Sequence, residues 1–145
     1  MLIEEKAEVE GDPGEVWERL SSVERIPEFW HGTRSLEILE RRVEGAVVER
    51  VRARMKFAFG GSGMVEITVD RGNKTVVWNY VSGPFKGTQT VRVVGKAVEV
   101  RWSIRFNGIY RLTSSWTAGH FKSGTRHALE RLCSETAPRG TVSQA

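Results

Sequence analysis

Cysteine is almost absent: Cys133 is the only one in the 145-residue chain, which rules out an internal disulfide and a cysteine-built zinc site. Histidine is scarce too, with only His31, His120 and His127. The last two are seven residues apart, about 10 Å along a helix axis, too far to share one metal ion. With no HExxH-type pattern either, no metal and no cofactor is expected. No apolar run approaches the ~18 residues that cross a bilayer. The opening MLIEEKAEVEG is acidic where a secretory signal is basic, so a cytoplasmic location is the expectation. The glycine-rich FGGSGM resembles a phosphate loop only superficially. Met64 and Val65 stand where such a loop needs a lysine and a hydroxyl, and a hairpin turn accounts for the glycines.

What is present is the make-up of a folded domain, with 39% hydrophobic and 28% charged residues. The net charge of +4 raises the question of an anionic partner. Arg50, Arg52, Arg54 and Lys56 alternate with Val51, Ala53, Met55 and Phe57, which at strand period puts the basic row on a solvated outer face. Pairing of Arg54 with Glu66 and of Arg50 with Asp70 across the GGSG turn would neutralise part of that row. No nucleic-acid partner is expected.

The chain divides without an internal repeat. Residues 2–9 suit a strand, and GDPGEVWERL suits a short helix capped by Asp12 with Pro13 at its first position. Ser21 and Glu24 have the spacing of a second capping box, and Pro27 opens another short turn that Gly32 closes. Six strands follow, separated by turn-rich breaks: SLEILERR, AVVERVRARMKFAF, GMVEITVD, KTVVWNYV, KGTQTVRVV and AVEVRWSIRF. A turn at Gly95-Lys96 would set Val93 opposite Val98, Val91 opposite Val100 and Gln89 opposite Trp102. A loop at Gly72-Asn73 would turn Val76, Trp78 and Tyr80 inward, and a one-residue slip would turn them out. From about Gly108 the period becomes helical, with Leu112 and Trp116 on one stripe and Phe121, Thr125, Ala128, Leu129 and Leu132 on a better one. Residues 1–134 are expected to form one domain and 135–145 a frayed tail.

The stretch GDPGEVWERLSSVERIPEFWHGTRSLEIL, residues 11–39, carries a resemblance. Its Asp/Pro-started helix with an inner Val-Trp, followed by an Ile-Pro-x-aromatic-aromatic turn, is similar to the START-like (SRPBCC) helix-grip superfamily. That group includes polyketide cyclases, birch-pollen-type allergens, lipid-transfer domains and small proteins encoded together with carbon monoxide dehydrogenase. The resemblance implies an α+β fold: a curved seven-stranded antiparallel sheet wrapped around a long C-terminal helix, with two short helices after the first strand. It also implies a cavity between sheet and helix. Phe29, Trp30 and His31 would form its lip, a turn that opens at low cost together with the glycine hairpin.

The expected lining follows the strands. Glu49, Met55 and Phe57 come from the second long strand, Trp78 and Tyr80 from the next inward set, and Gln89, Trp102 and Ile104 from the last pair. Trp116, His120 and Phe121 come from the helix. Phe59 and Phe106 are further aromatics assigned to the inner face. Glu49 shares the parity of its apolar neighbours, so it points inward, with either an acid/base role or a partner arginine at the strand end. No nucleophile, base and orienter assemble from these residues. The function expected is binding or carriage of a hydrophobic or amphipathic small molecule, lipid- or polyketide-like. The alternatives are a cyclase- or hydratase-like enzyme using the same cavity, and a membrane-associated assembly factor resembling the proteins encoded with carbon monoxide dehydrogenase. Peripheral membrane contact and a homodimer are left open.

Overall fold

The computed structural model describes residues 1–107 and 114–134, with side chains in the second segment from Gly119 onward. Leu112, the side chain of Trp116 and the tail 135–145 lie outside the described residues. The elements run β1 (Leu2–Glu8), α1 (Pro13–Ser21), a 3-10 turn (Val23–Arg25) and α2 (Ile26–Phe29). They continue through β2 (Thr33–Glu44), β3 (Val48–Phe57), β4 (Ser62–Asp70), β5 (Thr75–Tyr80), β6 (Phe85–Val94) and β7 (Ala97–Phe106) to α3 (Ser114–Ser134). The strands form one antiparallel sheet in the order β1-β7-β6-β5-β4-β3-β2, the helix-grip α+β arrangement.

Local chemistry explains the entry to the sheet. Asp12 caps α1, its Oδ1 accepting the Gly14 N–H at 2.9 Å, and Pro13 opens the helix where no N–H is missed. The expected second capping box does not form. The hydroxyls of Ser21 and Ser22 both turn back to the Glu18 carbonyl, at 3.4 and 2.7 Å, and so finish α1 instead of starting the next turn. α2 is fastened to α3 by Arg131, whose Nε donates to the Phe29 carbonyl at 3.0 Å.

Two registers matter for the interior. β6 and β7 pair as the turn chemistry predicts, with Gly95 at φ +58° and Val93, Val91 and Gln89 opposite Val98, Val100 and Trp102. β5 also takes the predicted phase, and Val76, Trp78 and Tyr80 are buried. β3 and β4 do not follow the expected pairing: Arg54 faces Met64, Arg50 faces Thr68, and it is Arg52 that faces Glu66. Gly60 (φ +109°) and Gly61 (φ +82°) let the chain reverse one residue earlier than expected, with the Phe57 N–H donating to the Gly61 carbonyl. The basic row is therefore answered from β2. Arg50 meets Glu44 at 3.0 Å, Arg52 meets Glu40 at 3.7 Å and Arg54 meets Glu37 at 3.5 Å, all on the solvated side.

Candidate functional site

The concave face is organised in rows that cross the sheet. One row runs from Ile3 on β1 through Trp102, Gln89, Trp78 and Ile67 to Val51 on β3, each residue paired with the next. The neighbouring row brings Ala53, Val65, Tyr80, Gly87 and Ile104 together. Strand alternation alone puts both rows on the side that α3 covers. Gly87 is required where it stands: its φ is +134°, and a Cβ there would lie 2.2 Å from the Ser103 carbonyl oxygen. β6 therefore comes unusually close to β7 at this point.

Aromatic rings fill the space under α3. Phe85 is the hub, with ring centroids of Tyr80 at 4.7 Å, Phe121 at 5.1 Å and Phe57 at 5.2 Å. Tyr80 stacks on Trp102 at 5.7 Å with an interplanar angle of 14°. Trp30 reaches in from the end of α2 to Trp102 at 6.1 Å and Trp78 at 6.4 Å. Phe59, on the β3–β4 turn, stacks on Phe57 at 5.4 Å and meets Phe121 at 6.2 Å. Phe59 is exposed and Phe121 half-buried, so the cluster meets solvent at this end.

Polar groups are set inside this apolar shell. The Tyr80 hydroxyl donates to Gln89 Oε1 at 2.7 Å, and both residues are buried. Burial holds the Tyr80 phenol protonated far above its ordinary range. Trp102 Nε1 donates to Thr125 Oγ1 at 2.9 Å, and that hydroxyl donates to the Phe121 carbonyl at 2.6 Å. Met55 is buried on the adjoining wall, its sulfur accepting from the Thr33 hydroxyl at 3.5 Å.

At the β2 edge the concave face turns ionic. Arg41, in register with Val51, bonds Glu24 and approaches Glu49 at 3.0 Å. Arg71 adds a second cation to Glu49 at 3.7 Å. The hydrogen bond from Arg41 holds the Glu24 carboxyl below its ordinary range.

These positions sort the residues named from the sequence. Phe29, Trp30, Met55, Phe57, Trp78, Tyr80, Gln89, Trp102 and Ile104 are buried, and Phe121 joins them from α3. Glu49 keeps its inward parity, but its setting is the pair of arginines at the strand end, not the apolar interior. His31 is exposed, with its Nε2 3.2 Å from the Glu28 carbonyl, because consecutive residues on a turn cannot all face one way. His120 is likewise exposed, on the outer side of α3. Phe59 is not an inner-wall residue, since the strand ends two residues before it. Trp30, at the end of α2, is buried against Trp78 and Trp102.

The chain matches the model of the family described as polyketide cyclase/dehydrase and lipid transport over residues 9–133. It belongs to that family. No curated protein sequence matches it significantly. Solved structures resemble it throughout. The Zhui aromatase/cyclase from Streptomyces sp. R1128 superposes with a TM-score of 0.71 at 16% identity, over 97% of this chain and 95% of the other. An 18 kDa protein from Caulobacter crescentus gives 0.72 at 18% identity, over 100% and 99%. A START superfamily protein from Mycobacterium smegmatis gives 0.65 at 14% identity, over 90% and 98%. At these identities the likeness establishes the fold.

Within this member of the polyketide cyclase/dehydrase and lipid transport family, two interior residues escape a reading of the sequence for site residues. Phe85 follows the SGP turn, and nothing local marks it as the residue on which five other rings converge. Thr125 lies on the stripe predicted to face the sheet, but its hydroxyl becomes a site group only through Trp102, 23 residues away.

Proposed function

We propose that the protein binds a hydrophobic or amphipathic small molecule, lipid- or polyketide-like, between the concave face of the sheet and α3. The observation that carries this reading is the aromatic shell around the hydrogen-bonded Tyr80–Gln89 pair. Small-molecule sites combine apolar and aromatic walls with a few placed polar groups. Here those groups are a phenol, a carboxamide, two indole N–H groups and a threonine hydroxyl. They recognise and orient. None exchanges a proton readily near neutral pH, which favours binding over acid/base turnover. Native mass spectrometry of gently purified protein tests the reading. A co-purifying lipid or polyketide mass supports it. A bare chain that also fails to take up an apolar fluorescent probe contradicts it.

A catalytic use of the same interior is the second reading. The Zhui protein is an aromatase/cyclase, and the Tyr80 hydroxyl could polarise a carbonyl by turning its one hydrogen from Gln89 Oε1 to the substrate while remaining protonated. Cyclisation of a model poly-β-ketone by the wild type, lost in Tyr80→Phe, would favour this reading over carriage.

A further inference from the structure

Two buried donors in the central row have no partner among the described residues. Trp78 Nε1 and Gln89 Nε2 are shielded from water without a hydrogen bond, on residues only 1% and 2% exposed. Such groups are rare in folded proteins because each forfeits its hydration. Trp78 and Gln89 are paired across β5 and β6 and share the concave face, so the indole and the amide are cross-strand neighbours. Trp102, on the other side of Gln89 in the same row, shows the contrast: its Nε1 is satisfied by Thr125.

Turning the Gln89 amide over does not remove the surplus. As placed, Tyr80 donates to Oε1 and both amide hydrogens are left over. Reversed, Nε2 would donate to the phenol oxygen and release the phenol's own hydrogen. In either arrangement the pair keeps an unused donor hydrogen, on residues that flank Trp78 in the sheet; reversed, these are the phenol's hydrogen and one of the amide's, even if Oε1 takes the Trp78 N–H. The pair and the indole are both neutral and set among aromatic rings: Tyr80 of the pair packs on Phe85 and Trp102, and the Trp78 ring packs on Trp30. Neutral donors in an apolar shell suit a neutral acceptor, because they cannot offset the desolvation of an isolated carboxylate.

We propose that Trp78 and the Tyr80–Gln89 pair determine specificity in this interior, and that its ligand presents a carbonyl oxygen on a flat apolar frame. This rests on the binding function proposed above.

The test compares two probes by calorimetry: acetylnaphthalene, and ethylnaphthalene, which has the same frame without the oxygen. The wild type should favour the ketone by about tenfold, the scale of one buried hydrogen bond. Trp78→Phe should bring the ratio of the two affinities close to one, whatever it does to the affinity for either probe alone. Tyr80→Phe/Gln89→Leu, which removes both polar partners together so that neither is stranded, should do the same, and it decides the matter if Trp78→Phe does not fold. Equal affinity of the wild type for both probes, or a preference that survives these substitutions, overturns the specificity assignment and leaves the binding function standing. Failure of the wild type to bind either probe overturns both.

Discussion

The β2–β3 hairpin and the β5–β6–β7 wall treat polar groups in opposite ways. On the outer face of the hairpin, arginines and glutamates pair in water: Arg50 with Glu44, Arg52 with Glu40, Arg54 with Glu37. On the wall, uncharged polar groups are buried among aromatic rings, and two of their donors have no partner among the described residues. The conspicuous charges are the less consequential set, since exposed pairs contribute about 0–1 kcal/mol each. A buried donor without a partner costs about 1–3 kcal/mol. Its retention costs the fold stability, which is what the proposed recognition role of the wall accounts for.

The contrast can be broken by substitution. Phe85→Ala should have the largest effect, removing the ring on which the cluster converges and destabilising the fold by about 3–5 kcal/mol in urea unfolding. Trp30→Ala belongs in the same class, because the ring is packed against Phe29, Trp78 and Trp102. A small change in its midpoint would instead fit a loosely held lip. Gly87→Ala should cost about 1–3 kcal/mol or more, since the new Cβ both meets the Ser103 carbonyl and requires an unfavourable φ.

A pH effect on the wall comes next. Tyr80 keeps its proton in the fold well above the value of 10.0 that an ordinary tyrosine has. The unfolded chain therefore releases that proton first as pH rises. The contribution is whole below about pH 10 and declines above it by up to about 1.4 kcal/mol per pH unit. Unfolding of the wild type and Tyr80→Phe should diverge by about 1.4 kcal/mol in total between pH 9 and 11, most of it above pH 10. The smallest effect should come from the hairpin. Arg54→Ala breaks a pair whose side chains are 51% and 64% exposed, and stability should stay within about 0.5 kcal/mol.

The same contrast marks what the sequence discloses. The β6–β7 register is legible because Gly95-Lys96 offers one tight reversal and Val98, Val100, Trp102, Ile104 and Phe106 alternate without a break. The β3–β4 register is not, because adjacent glycines allow the reversal to slide, and a one-residue slide moves every cross-strand pair by two. Parity placed Glu49 on the concave side, but its setting depends on Arg41 of β2 and Arg71 of a later loop, which no local pattern connects. Adjacent aromatics at Phe29 and Trp30 indicated a special turn, but not that both would enter the core while His31 stayed outside. The unpaired donors are invisible in the sequence, because satisfaction is a property of the assembled row.

The most direct test of binding at the wall is the indole N–H spectrum of the protein during titration with acetylnaphthalene. The chain has five tryptophans, and the Trp78 resonance is identified by its loss in Trp78→Phe. Binding against the wall predicts that this resonance moves downfield and exchanges more slowly as the carbonyl accepts its hydrogen, while Trp17, packed beneath Lys74 on α1, keeps its position. A saturating titration that leaves Trp78 unmoved, or shifts Trp17 instead, would contradict it.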